Sequence, residues 1–190
     1  MASPRYEAAS AAIDRANAED PKKYESLYGR RMVEWAKRLA QQASEELLLA
    51  VQAQHIRRWT VPRSSFPDGR IGYLKWREGL KTFHADTLAA IMHEAGYDAG
   101  AVEKARSLIV RKNHSSDAEG QTLEDAACLV FLQFELAEFA AKTEPDKMVD
   151  ILRKSWGKMS SEARNHALGL SYSVAEGELV KKALAGRPES

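Results

Sequence analysis

Apolar residues recur along this chain at three- and four-residue spacing, and no alternating β-branched run is long enough for a sheet strand. That pattern predicts an all-α protein. A first helix is expected over residues 6–17, closed before Asp20-Pro21 because the residue ahead of a proline is pushed out of the α region. A second, over 27–41, carries Met32, Trp35, Ala36 and Leu39 on one stripe. Ser44 is placed to cap a third, with Glu45 and Glu46 at the positive end of its dipole and the pattern ELLLAVQAQHIRRW running on to Pro62.

The stretch TVPRSSFPDGRIG interrupts this rhythm with two prolines, two serines and two glycines, and reads as an ordered excursion between helices. A fourth helix is expected over 73–95, ended by Gly96, and a fifth over 98–112. A long apolar helix over 122–141 follows the polar loop NHSSDAEG, and Pro145 suits the first position of a helix on PDKMVDILRKSWGKM. Ser160 is placed to cap the next segment. The last helices, 162–168 and 174–185, are less apolar and are expected to pack across the outside of a bundle.

With 190 residues, 44% of them hydrophobic, the chain has the size and apolar content of one domain with a single core. A net charge of +1 supplies no bulk field for nucleic acid or acidic membranes, so any anion site must be local. The apolar run within 126–134 is far short of a membrane span, and the N-terminal segment lacks a signal peptide's apolar centre, which predicts a cytoplasmic protein without membrane contact. Cys128, the one cysteine, lies in the apolar run ACLVFL and is expected to be an ordinary buried thiol.

Three polar residues fall where helical geometry predicts burial. His55 follows Val51 by four residues and Leu48 by seven; His84 follows Leu80 by four and precedes Leu88 by four; Asp125 precedes Leu129 by four and Leu132 by seven. Each needs a partner inside an apolar face. Imidazole nitrogen and carboxylate oxygen are the donors that zinc, manganese or iron accepts, so a shared metal site built from His55, His84 and Asp125 is one expectation; hydrogen-bonded core residues are the other. His93, His114 and His166 have polar or mixed neighbours and are set aside.

Between the two histidines the chain gathers Arg57, Arg58, Arg63, Arg70, Lys75, Arg77 and Lys81, with Tyr73 and Trp76 among them. Guanidinium forks match phosphate or carboxylate oxygens, and this predicts a rim for a small anion formed by Arg58, Arg63, Arg70, Tyr73, Lys75 and Arg77. Lys154 and Lys158 lie four apart and neighbour each other on a helix face. The cluster Asp14, Asn17, Glu19 and Asp20 reads as a solvated helix end.

The segment YGRRMVEWAKRLAQQASEELLLAVQAQHIRR resembles the opening of an HD-superfamily domain, in which H-x-x-R-V leads into an apolar helix ending in His-Asp. Tyr28 stands at the first histidine, Gln54 and His55 at the His-Asp pair, His84 at a later histidine and Lys112 where another histidine is common. QTLEDAACL resembles the closing element and puts Asp125 on the last metal aspartate. The likeness covers about residues 28–131, with helices over 145–185 packing on that core. It implies an HD-domain-like helical bundle and a metal-assisted phosphohydrolase acting on a small phosphorylated or nucleotide-like anion, with Gln54 and Lys112 as candidate catalytic groups. Two other functions fit the same residues. One is a non-catalytic anion or nucleotide sensor that keeps the pocket without turnover; the other is an iron-dependent oxygenase. If Lys112 points inward, its charge replaces the metal's and the site is metal-free. A closer resemblance, carried by IDRANAEDP, AQHIRRW, PRSSFPDGRIGYLKWREGL, LEDAACLVFL and KSWGKMS, is to a bacterial and fungal family described as a domain of unknown function, of the DUF4202 type.

Overall fold

The computed structural model describes residues 3–110 and 117–185, and among these every regular element is helical. Two compact units divide the chain, residues 1–123 and 124–190. No helix among the described residues is long and apolar enough to cross a membrane.

The first unit starts with α1 (Pro4–Ala18), where Ser3 caps the N-terminus by accepting the Tyr6 N–H and a proline occupies the first turn. α2 (Tyr24–Leu39) and α3 (Glu45–Gln52) follow, the latter capped by Ser44 as its sequence predicts. α4 (Gly69–Glu94) and α5 (Ala99–Val110) form a hairpin closed at Gly96, whose φ of 85° is one that residues with a Cβ seldom adopt. The core draws Ile13 from α1, Met32 and Ala36 from α2, Leu47 and Val51 from α3, Leu88 and Met92 from α4, and Leu108 from α5. α2 and α3 approach closely at Gly29, where a Cβ would stand 2.8 Å from the Gln52 carbonyl oxygen.

Two expectations for helix lengths need correction. The third helix does not run to Pro62. It stops at Gln52 and gives way to tight turns in which Ile56 N–H reaches back to the Ala53 carbonyl and Arg58 N–H to that of His55. Arg57 then takes a left-handed φ of 52°, and its N–H goes to the Asn17 side chain rather than to a helical carbonyl. The apolar helix expected over 122–141 is α6 (Ala118–Val130), a π-helical stretch Phe131–Glu135 and α7 (Leu136–Ala140).

In the excursion, Arg63 donates to the carbonyls of Phe66, Pro67 and Gly69 and so ties the segment to itself. Pro67 presses its carbonyl onto Gly72, where a Cβ would lie only 1.8 Å away, so only glycine fits there.

In the second unit, α8 (Pro145–Lys158) packs with α10 (Val174–Leu184), and Arg153 reaches the carbonyls of Lys182 and Ala183. α9 (Ser161–Leu168), capped by Ser160, stands between them in the chain. The thiol of Cys128 is buried against the Ser155 carbonyl, and burial pushes its pKa up to about 12.

Candidate functional site

Of the six buried polar or charged residues described, Asn17, Asp20, Glu25, Gln52 and His84 belong to the first unit. Gln52 is fully engaged: its amide donates to the Ser10 carbonyl and the Asp14 carboxylate, and its oxygen accepts from Ser10 Oγ. The others surround a cluster of unmatched polar atoms.

His84 is carried into that cluster by α4. Its Nδ1 lies 2.8 Å from the carbonyl oxygen of Ile56, an acceptor only, so the ring proton sits on Nδ1 and the lone pair on Nε2. That Nε2 is buried and has no hydrogen-bond partner. His55 comes from the turn after α3, with its ring centroid 6.2 Å from that of His84. Its Nε2 faces Nη1 of Arg58 at 3.4 Å; since a guanidinium only donates, this places the His55 proton on Nδ1. Nδ1 in turn looks at Oε2 of Glu25, 3.5 Å away, and neither of these atoms makes a hydrogen bond. Tyr28, one turn after Glu25 on α2, stacks flat on the His55 ring at 3.9 Å.

Burial sets the electrostatics. It pushes the Glu25 carboxyl up to about 7, against the pull of Arg58 and with a smaller push from Asp20. Burial pushes His55 down to about 3, helped by Arg58; it does the same to His84, helped by His55 and Arg58 and opposed by the Ile56 bond. Near neutral pH the site holds two uncharged imidazoles and a carboxyl that is about half protonated. The fixed positive charge is Arg58, whose guanidinium lies over the Trp76 ring at 4.8 Å while Trp76 Nε1 donates to the Val61 carbonyl.

Some of the residues expected to form a rim lie together. Arg77 lies over the Tyr73 ring, Tyr73 neighbours Trp76, and Trp76 holds Arg58, so a file of cations and rings leads from exposed α4 to His55. Arg70 and Lys75 are exposed on the same helix. Arg63 has another occupation, since its guanidinium is engaged by the carbonyls of its own loop. Gln54 contributes a buried Oε1 without a partner.

Asp125 is buried on α6 in the second unit, where it accepts the Ser160 N–H at 2.9 Å just ahead of α9. Nearby, Lys158 pairs with Glu124. Lys112 lies outside the described residues. Two imidazoles and a carboxylate are suitable donor types for zinc, manganese or iron. Among the described residues, however, no group of three or more His, Cys, Asp or Glu side chains is disposed to hold an ion, and Arg58 brings a positive charge up to His55.

Glu25 is the site residue that the sequence reading misses. The signal was present: Glu25 precedes Tyr28 by three residues and Met32 by seven, on the buried stripe of α2. Asn17 and Asp20 are likewise not solvated, for both are buried and hydrogen-bonded to backbone N–H groups of the site's turns.

No curated protein and no solved structure matches the chain. A family model covers most of it, from residue 7 to residue 180 and thus through parts of both units. On that match, the chain belongs to the family described as a domain of unknown function, DUF4202.

Proposed function

We propose that the first unit binds a small phosphorylated or nucleotide-like anion and promotes its hydrolysis, with Glu25 as the proton-transfer residue. The observation that carries this reading is that the buried atoms Glu25 Oε2, His55 Nδ1 and His84 Nε2 lack hydrogen-bond partners, with Arg58 against His55 and a further unpartnered buried nitrogen on Arg57. Unmatched polar atoms in an apolar surround are costly, and an incoming ligand and its water would relieve that cost. A carboxyl whose pKa lies near neutrality suits general acid and base work.

In this reading Arg58 engages phosphoryl oxygens, and His84 accepts a hydrogen bond from the attacking water at Nε2. The water oxygen bonds to phosphorus and its proton passes to the Glu25 carboxylate. The bond from phosphorus to the leaving oxygen breaks, and that oxygen takes a proton back. Arg77 and Tyr73 serve the outer part of the ligand. The likeness to the HD superfamily supports the reading, because the stations at Tyr28, His55 and His84 lie together.

A non-catalytic anion sensor is the second reading, favoured by Tyr28 covering one face of His55. Phosphate release from a panel of phosphorylated metabolites separates the two. Turnover that falls by roughly 10²-fold or more in Glu25→Gln while binding persists supports hydrolysis. Binding without turnover on every member supports the sensor.

A further inference from the structure

Among the described residues, the non-glycine positions with positive φ are Lys23 at 54° and Arg57 at 52°. A residue with a Cβ adopts this conformation at a cost and keeps it only where neighbours over-determine it. Both turns adjoin the candidate site. Lys23 lies two residues before Glu25, and Arg57 stands between His55 and Arg58.

Both turns are also held by the same short piece of chain. Asp20 Oδ2 accepts the N–H groups of Tyr24 at 2.8 Å and Glu25 at 3.2 Å, Asp20 Oδ1 accepts that of Lys22, and the Asp20 carbonyl accepts that of Lys23. Asp20 therefore caps α2, since Lys23 at the cap position offers no side-chain hydrogen bond. Three residues earlier, Asn17 Oδ1 accepts the Arg57 N–H at 3.2 Å, and the Asn17 carbonyl accepts the N–H of Asp20. The side chains are almost wholly buried, Asn17 being 1% and Asp20 4% exposed. The end of α1 thus ties the turn presenting Glu25 to the turn presenting His55 and Arg58.

Resting on the function proposed above, we infer that Asn17 and Asp20 are positioning residues, which set the placement of the Glu25 carboxyl relative to His55 and Arg58. Glycine at 23 and 57 would take these dihedrals freely. The chain instead has long cationic side chains there and spends a buried amide and a buried carboxylate on the backbone. Buried Glu25 Oε2 and His84 Nε2 lie unpartnered in the cluster these turns build.

The test follows the ring resonances of His55 and His84 by NMR between pH 4 and 8, with calorimetric titration of pyrophosphate as probe anion. Both are run on wild type, Asn17→Ala, Asn17→Asp and Asn17→Ala/Arg57→Gly. In wild type neither imidazole is expected to titrate in that range, because burial holds both at about 3. Asn17→Ala is expected to bring at least the His55 titration into it and to weaken pyrophosphate binding at least tenfold. Asn17→Asp keeps an acceptor oxygen and Arg57→Gly removes the strain, so both restore the wild-type titration. Unchanged imidazole titrations in a folded Asn17→Ala overturn the inference. If Asn17→Ala does not fold, the double variant decides alone: a wild-type titration supports the inference, and a disturbed titration or failure to fold overturns it. Should wild type bind no pyrophosphate, the proposed function is in difficulty, while the imidazole titrations still decide the positioning role.

Discussion

Nδ1 of His55 and Oε2 of Glu25 face each other at 3.5 Å, both buried and neither satisfied by a hydrogen bond. Their titrations are displaced in opposite senses, the imidazole down to about 3 and the carboxyl up to about 7, because burial penalises the charged form of each. The pair is therefore uncharged over much of the range in which an ordinary histidine and glutamate would form an ion pair. Under the proposed function, an anion arriving beside the pair would change that balance.

Stability should show this arrangement through pH. Glu25 has a folded pKa near 7, above its ordinary 4.5, so the native state holds a proton that the unfolded chain has lost between those values. Its contribution falls as pH rises through that window. His55 and His84 act oppositely: their folded pKa values near 3 lie below the ordinary 6.5, so stability grows as pH rises from about 3 to 6.5. Glu25→Gln removes only the first contribution. Denaturant melts should find it more stable than wild type at pH 8, by roughly 3 kcal/mol at most, with little difference at pH 4. Equal curves at both pH values would show that the carboxyl is not displaced.

Arg58→Met keeps an unbranched side chain while removing the guanidinium that lies over Trp76. The loss of a nearby positive charge should raise the pKa of both His55 and His84, because Arg58 opposes their protonation. The cation–π contact is worth about 0.5–2 kcal/mol, so a folded protein is expected. NMR titration of the imidazoles gives the direction, and no upward movement would contradict the geometry around His55.

Arg63 differs from its basic neighbours. Truncation to alanine strips hydrogen bonds from the carbonyls of Phe66, Pro67 and Gly69 and should cost about 1–3 kcal/mol. Arg70 and Lys75 are exposed, and their truncation should stay within about 0.5 kcal/mol. Urea melts of the three variants compare them directly.

These contrasts mark what the sequence discloses. Ser44, Gly96, Pro145 and Ser160 announce helix ends because capping and left-handed closure are local chemistry. The burial of His84 also follows from its stripe on α4. The path after α3 is different, since Arg57 leaves helical bonding by giving its N–H to Asn17 across forty residues of sequence. Glu25 sits on the apolar stripe of α2 as plainly as His84 does on α4, yet it is hidden because the sequence pattern starts that helix only at residue 27, whereas Asp20 caps it at Tyr24. Arg63 reads as an exposed ligand-seeking cation until the carbonyls of its own loop are located.

Asp125 has a backbone partner in the Ser160 N–H. Asp125→Asn keeps an acceptor oxygen and should cost under about 1 kcal/mol, whereas Asp125→Ala strands that N–H and should cost about 1–3 kcal/mol. Thermal melts with metal analysis of both variants test this. A metal content that falls with Asp125→Asn at unchanged stability would restore Asp125 to a metal site.

The most direct test of the site is calorimetric titration of wild type, Glu25→Gln and Arg58→Met with pyrophosphate at pH 7, each in two buffers of different ionisation heat. An anion entering beside a half-protonated carboxyl should raise its pKa, so wild type is expected to take up a fraction of a proton on binding. Glu25→Gln should bind without that uptake, and Arg58→Met should lose at least tenfold in affinity. Binding to all three with equal affinity and equal proton uptake would place the anion elsewhere and contradict the account.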